Sequence, residues 1–229
     1  ILNSDIGDYL DYIVIGEGEY HILEIMENYK SNYSDIKIMG DLFSKINLDD
    51  LPFPDYSDYD FNDYRHKSGV SLETSRGCVA SCTFCSETLF WKFRQRGGSR
   101  LIDEVKYQIN EYGVNRFWFI DSLVNGDLNK FYDFISGAVE QDLKILWNGY
   151  ARCDGRMDKE FIKLIKDSGC TALSFGVESG SPLVLLDMKK NISPIEIIKN
   201  LKHTHEVELY SHVNWIVGYS TETITDSYH

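Results

Sequence analysis

Apolar positions recur along this chain with two alternating periods. Short runs rich in β-branched and aromatic residues appear at VSLETS (70–75), RFWFID (116–121), KILWNGYA (144–151), TALSFGVE (171–178) and LYSHVNWIVG (209–218). Between them the apolar residues shift to helical spacing, over 101–112, 127–141, 158–168 and 194–206. The runs predict strands, the spaced segments helices, and the closing TETITDSYH predicts the start of one more helix. Helices between consecutive strands require parallel pairing with right-handed crossovers. Strands this apolar suit a sheet covered on both faces. No G-x-G-x-x-G follows the first strand, so a barrel or open part-barrel fits better than a dinucleotide-binding sheet. In such barrels the chemistry sits at the C-terminal ends of the strands.

Upstream, the apolar run Tyr12 to Ile15 stops at Gly16-Glu17-Gly18-Glu19, and Ile22, Leu23, Ile25 and Met26 then recur at helical spacing. This predicts one strand–turn–helix unit, too small to stand alone. Residues 47–66 carry Pro52, Pro54 and a run of Asp and Tyr, and read as a linker. The expected organisation is a small N-terminal piece over 1–46, the linker, and a main α/β domain over 67–229.

Composition narrows the class. The chain has 229 residues, 43% hydrophobic and 26% charged, which is a globular composition with a real core. No apolar run approaches the length of a membrane span, and no charged-then-apolar leader follows Ile1. The first residue is not Met, so a fragment is expected. A net charge of −13 argues against a large phosphate-neutralising surface, and with it against a nucleic-acid partner. Five cysteines, three of them clustered, do not suit paired disulfides; they suit a reducing, cytoplasmic setting and a metal site.

The cluster is RGCVASCTFC, with Cys78, Cys82 and Cys85 spaced C-x3-C-x2-C on the loop after the strand at 70–75. Structural zinc wants four ligands, and a four-iron cluster usually takes four thiolates. Three thiolates can hold three corners of a cubane and leave one iron open for a substrate or cofactor. Two plainer readings compete: zinc held by the triad with a distant His66, Cys153 or Cys170, or three unliganded core thiols. The small and polar residues around the triad suit a loop better than a core.

C-x3-C-x-aromatic-C, with Phe84 directly before the third cysteine, resembles the signature of the radical SAM superfamily. The resemblance implies a 4Fe–4S cluster on Cys78, Cys82 and Cys85, with S-adenosylmethionine chelating the fourth iron. One electron from the cluster then cleaves the cofactor to methionine and a 5′-deoxyadenosyl radical. It also implies a partial (β/α)6 TIM-like barrel, here ending after its fifth strand, and an electron donor such as flavodoxin or ferredoxin.

Polar groups at the strand ends fit such a cofactor. Asp121, in WFIDS, stands where the superfamily contacts the methionine amino group, although the usual Gly-Gly-Glu is absent. Arg152, in YARCD, could clamp the methionine carboxylate; a salt bridge with Asp154 is the plainer role. Glu178, in FGVESGS, matches a segment whose Glu reaches the ribose hydroxyls. Ser179 could assist, or Ser179 or Ser181 could simply cap a helix. Lys190, in DMKKN, stands where a basic residue approaches the cofactor carboxylate in related enzymes. Asn214 and Gly218 lie in VNWIVGYSTET, which resembles a G-x-P-x-E-T segment with Ser220 in place of the proline; its backbone is expected to meet adenine.

GEGE after a short strand, about sixty residues before the triad, resembles the end of the Rossmann-like cobalamin-binding domain that precedes the barrel in one subgroup of the superfamily. Cobalamin is therefore a further expected cofactor of the longer protein. DYRHKSG (63–69) nearly spells the D-x-H-x-x-G of such domains, but its spacing is one residue too long, and His66 is rejected as a cobalt ligand. Two rival functions remain: an iron–sulfur electron-transfer or binding module, and a zinc-stapled α/β domain. Substrate and reaction type are not legible.

Overall fold

The computed structural model describes residues 9–28, 37–42, 45–64 and 69–226. His66 and the last three residues of the expected terminal helix lie outside them. The chain divides into two compact units, with the boundary between Asp50 and Leu51.

In the first unit, β1 (Tyr12–Ile15) and β2 (Lys37–Gly40) form a parallel pair, and α1 (Glu19–Asn28) follows β1 as the apolar pattern predicts. Gly16 makes the turn between them at φ +87°, a conformation open chiefly to glycine. Glu17 is buried and accepts a hydrogen bond from the Ile46 N–H at 2.8 Å.

The second unit contains a five-stranded parallel sheet in the order β3 (Gly69–Leu72), β6 (Arg116–Phe119), β7 (Leu146–Ala151), β8 (Cys170–Glu178) and β9 (Tyr210–Trp215). The helices between these strands are α3 (Gly98–Tyr112), α4 (Leu128–Glu140), α5 (Lys159–Asp167) and α7 (Pro194–Glu206). α3 packs on α4, α4 on α5, and α5 on α7. One face of the sheet meets them: Leu72, Phe117, Phe119, Trp147, Leu173, Phe175 and Val177 belong to a single buried core. Phe119 stacks on Trp147 with ring centroids 4.6 Å apart. The other face is lined in register by Ser71, Trp118, Asn148, Ala172 and Tyr210, and it is only partly covered.

The helices begin where the sequence offers caps. Asp127 and Asp158 accept backbone N–H groups at the starts of α4 and α5, and Ser193 forms a reciprocal capping box with Glu196 at the start of α7. Three strands end before the apolar runs do: 70–75 at Leu72, 116–121 at Phe119 and 209–218 at Trp215. The shortened ends are the segments that turn toward the site. The expected linker also divides: Tyr56 and Phe61 pack against the second unit's core, and the Tyr56 N–H donates to the Tyr112 hydroxyl at 3.1 Å. Residues 220–225 form turns rather than a helix.

Candidate active site

The loop from Gly77 to Phe93 carries the three cysteines and closes on itself at the base. There β4 (Ser75–Arg76) pairs antiparallel with β5 (Arg94–Gln95). A Cβ on Gly77, which sits at φ +77°, would come within 2.8 Å of the Trp91 carbonyl oxygen, so the neck of the loop needs glycine there. A short helix, α2 (Glu87–Phe90), follows the last cysteine. The loop is tied down across the molecule: the Thr83 N–H donates to the Met188 carbonyl at 3.0 Å, and its hydroxyl lies 2.7 Å from that of Tyr219.

Asp121 fixes the neck to the end of β6. The Thr74 and Ser75 N–H groups donate to its Oδ1 at 2.7 and 2.6 Å, and the Thr74 hydroxyl lies 2.7 Å from Oδ2. The carboxyl group is buried, and burial pushes its pKa up to about 6 against the pull of these hydrogen bonds. It does not line the cavity described next. The strand-end position expected to serve an ammonium is occupied here by hydrogen bonds to the neck of the cysteine loop.

The three cysteines open into one cavity of about 180 Å³ at the C-terminal ends of the strands, lined also by Phe84, Arg152, Glu178, Lys190 and Asn214. Sequence reasoning had singled out all five. Ala80, Glu87, Ser122, Leu123, Tyr150, Ala151 and Gly176 make up the rest of the wall, and sequence reasoning singles out none of them. The Lys190 ammonium lies 3.1 Å from the Glu178 carboxylate, both groups nearly enclosed. Gly176 makes room for this pair, since a Cβ there would sit 2.7 Å from Glu178 Oε1 and 3.0 Å from Lys190 Nζ. Glu178 itself is held at φ +71°, unusual for a side chain of its size. Such a backbone persists only where the surroundings enforce it, and these positions gather at functional sites.

Arg152 does not pair with Asp154. Its guanidinium donates to the Lys190 and Asn191 carbonyls, while Arg156 takes Asp154. The backbone of Arg152 is braced by buried Asn125, which donates to its carbonyl at 2.8 Å and accepts its N–H at 2.9 Å. Two further expected site residues stand elsewhere. Ser179 is buried and accepts the Ser181 N–H at 3.1 Å, while Ser181 caps the short helix α6 (Pro182–Asp187). Gly218 sits at φ +81° and its N–H donates to Glu222. Neither lines the cavity.

The donor set suits some metals better than others. Burial pushes the Cys82 thiol above its ordinary range, while Lys190 and Arg152 pull it down. The Ala80 N–H points at Cys78 Sγ from 3.4 Å. Among the described residues no three His, Cys, Asp or Glu side chains converge tightly enough to share a single metal ion. Four ligands on one zinc, at ~2.3 Å each, must crowd within roughly 4 Å of one another. Three thiolates spread around an open cavity suit a multi-iron cluster, whose corners are separate irons. Cys153 and Cys170, the other candidate zinc ligands, are buried in the hydrophobic core, where burial raises both thiols.

Residues 72–227 match the model of the Radical SAM superfamily. The chain is 28% identical over 232 residues to an uncharacterized methyltransferase of Pyrococcus horikoshii, a match covering 93% of the chain and 50% of that protein. It is 28% identical to the cytidylyl-2-hydroxyethylphosphonate methyltransferase of Streptomyces wedmorensis, covering 91% and 48%. An anaerobic magnesium-protoporphyrin IX monomethyl ester cyclase of Cereibacter sphaeroides is 25% identical, over 94% of the chain and 39% of the cyclase. The chain thus spans half or less of these relatives. In fold it resembles the cobalamin-dependent S-adenosylmethionine radical enzyme OxsB, with a TM-score of 0.71 and 18% identity over 93% of the chain and 34% of OxsB. Because the family match covers most of the chain and includes every residue lining the cysteine cavity, the chain belongs to the radical SAM superfamily.

Proposed function

We propose that the second unit is the core of a radical SAM enzyme. In this reading Cys78, Cys82 and Cys85 hold a 4Fe–4S cluster, and S-adenosylmethionine occupies the cavity beside them. One observation carries it: three cysteines and an Arg, a Glu, a Lys and an Asn, drawn from five separate segments, line a single cavity at the strand ends. An electron-transfer module has no use for that polar set. When bound, cluster and cofactor supply a 5′-deoxyadenosyl radical that abstracts hydrogen from substrate.

The chain's own residues would bind and orient. Lys190 and Arg152 place positive charge where the methionine carboxylate needs it. Glu178, already held by Lys190, would offer acceptor oxygens to ribose hydroxyls, and Asn214, which lines the same cavity, would serve the adenine end. Phe84 and Leu123 keep water from the reacting centre. Asp121 and Ser179 have structural roles in this reading, and Gly218 shapes the loop after β9. The first unit supports a second element of the proposal: its parallel β1–β2 pair and Gly16 turn fit the last part of a cobalamin-binding domain. The fold likeness to OxsB extends over that part of the chain. The longer protein would then perform methyl transfer or a related radical reaction, drawing its electron from a flavodoxin or ferredoxin in a reducing, cytoplasmic setting.

Electron paramagnetic resonance on the anaerobically reconstituted, dithionite-reduced chain tests this. A cluster signal that changes when S-adenosylmethionine is added supports the proposal; a signal indifferent to it favours the electron-transfer module. Glu178→Gln removes the charge and keeps the shape. It is expected to weaken S-adenosylmethionine binding about tenfold, the scale of one charge-assisted hydrogen bond, with iron and sulfide content unchanged. Unaltered affinity by calorimetry removes Glu178 from the binding set.

A further inference from the structure

Residues 123–127, which follow β6, are tied down from two sides. One side is the neck of the cysteine loop. The Ser75 hydroxyl donates to the Leu123 carbonyl at 2.9 Å, the Gln95 amide donates to the Val124 carbonyl at 2.9 Å, and the Asp127 N–H donates to Gln95 Oε1 at 2.8 Å. The other side is the end of β7. The Val124 N–H donates to the Tyr150 carbonyl at 2.9 Å, and the Asn125 side chain pairs with both backbone groups of Arg152.

Asn125 is buried and lies outside the lining of the cysteine cavity. Its Oδ1 accepts the Arg152 N–H, while its Nδ2 donates to the Arg152 carbonyl and points at Met157 Sδ from 3.3 Å. A carboxamide matches the donor and acceptor of a peptide group in this orientation only. The pairing therefore extends the hydrogen bonding of β7 one residue past its end at Ala151. From there the constraint runs outward. The Arg152 guanidinium donates to the Lys190 and Asn191 carbonyls. These belong to a turn in which Lys189 and Asn191 sit at φ +51° and +52°, a backbone that persists only where its surroundings enforce it. Lys190, presented by that turn, reaches Glu178.

We propose that Asn125 is a positioning residue for the cofactor. It fixes Arg152 against a segment that is itself fixed to the neck of the cysteine loop, and so holds the Arg152 and Lys190 cations in place relative to the three cysteines. The ligand, the carboxylate of S-adenosylmethionine, rests on the radical SAM reading; the positioning itself does not. A small displacement of such a clamp is costly, because its hydrogen bonds are directional. Asn200 offers a matched comparison. It is equally buried, accepts the Asp154 N–H at 2.7 Å and donates to the Asp154 carbonyl at 3.1 Å. Asp154 stands two residues beyond Arg152 and pairs with Arg156, outside the cavity lining.

Calorimetric titration of S-adenosylmethionine into the anaerobically reconstituted chain tests the assignment. Asn125→Ala should weaken binding about tenfold with iron and sulfide at the wild-type level, and the cofactor-dependent resonance change should need correspondingly more cofactor. Asn125→Leu fills the volume but pairs with neither backbone group, and it should behave alike even where the alanine variant folds poorly. Asn200→Ala should melt at a lower temperature, as Asn125→Ala does, yet bind with wild-type affinity. Hydrogen-exchange mass spectrometry without cofactor adds a second readout. Exchange should quicken over 150–153 and 187–191 in the Asn125 variants, and over 154–157 in Asn200→Ala. Unchanged affinity in both Asn125 variants, or an equal loss in Asn200→Ala, overturns the positioning role. A wild-type chain with its cluster that binds no S-adenosylmethionine overturns the radical SAM reading instead. Hydrogen exchange then decides the positioning alone, and unchanged exchange over 187–191 in the Asn125 variants overturns it.

Discussion

Cys82→Ala is expected to reduce bound iron and acid-labile sulfide to background after anaerobic reconstitution, and to remove the cluster's visible absorption. Two thiolates cannot hold a cubane against hydrolysis and exchange. The cavity wall around the triad also carries Lys190 and Arg152, which cannot ligate iron while protonated, Glu178, already paired with Lys190, and Glu87, whose carboxylate is a poorer ligand for a cubane iron than the lost thiolate. Cys78→Ala and Cys85→Ala should behave alike. The internal control is strong because the chain carries two further thiols in a different environment. Cys153 and Cys170 are buried in the apolar core, and burial drives the Cys153 thiol up to about 12. Burial disfavours the thiolate of both. Cys153→Ala and Cys170→Ala should lose a little stability, about 1 kcal/mol each for the small void, and keep the full complement of iron. Wild-type iron in Cys82→Ala, or lost iron in Cys170→Ala, would mean that the ligands are misassigned.

How much of this was legible in the sequence depended on whether a feature is periodic. The five strands and four long helices carry long apolar repeats, and each appears where the repeat places it. The β4–β5 clasp was invisible, because two-residue strands have no period and their partners lie across the cysteine loop. α2 and α6 are too short for a helical stripe. Asn125, which braces Arg152, and Asn200, whose side chain accepts the Asp154 N–H at 2.7 Å, are buried polar residues with no local signature. Their role arises only when distant backbone groups need partners.

For Asp121 the sequence carries a signal that bears on its place. Side chains alternate across a strand, and Phe117 and Phe119 point into the helix-covered core. Asp121 continues that parity, whereas Trp118 and Ser122 belong to the other face. The same parity places Asn148, Tyr150 and Arg152 on the cavity side of β7, where Tyr150 and Arg152 are found. Counting by two from the core aromatics separates Asp121 from the residues that line the cavity.

The two roles for Asp121 diverge sharply on substitution. Asp121→Ala leaves two buried N–H groups and a hydroxyl without their acceptor, a loss of about 3–5 kcal/mol and on the order of 10 °C in melting temperature. The neck of the cysteine loop should loosen and cluster retention fall with it. Asp121→Asn differs. Its amide oxygen can still accept from Thr74 and Ser75, and its NH2 can donate to the Thr74 hydroxyl, which serves equally as acceptor. An anchor tolerates that change: cluster content and S-adenosylmethionine affinity should match wild type. A carboxylate that paired with the cofactor's ammonium would not tolerate it, so a tenfold loss of affinity with the cluster intact would restore the binding role. A pH series adds an independent reading. The folded-state pKa of about 6 lies above the ordinary 3.8, so the folded chain holds this proton more tightly than the unfolded chain does. Stability from Asp121 is therefore full below about pH 4, declines as pH rises toward 6, and levels off above, a span of about 3 kcal/mol. Asp121→Asn cannot titrate. The difference in unfolding free energy between variant and wild type should move in the variant's favour between pH 4 and 6, and a difference that stays flat across that window would contradict the buried, loop-anchoring carboxyl group.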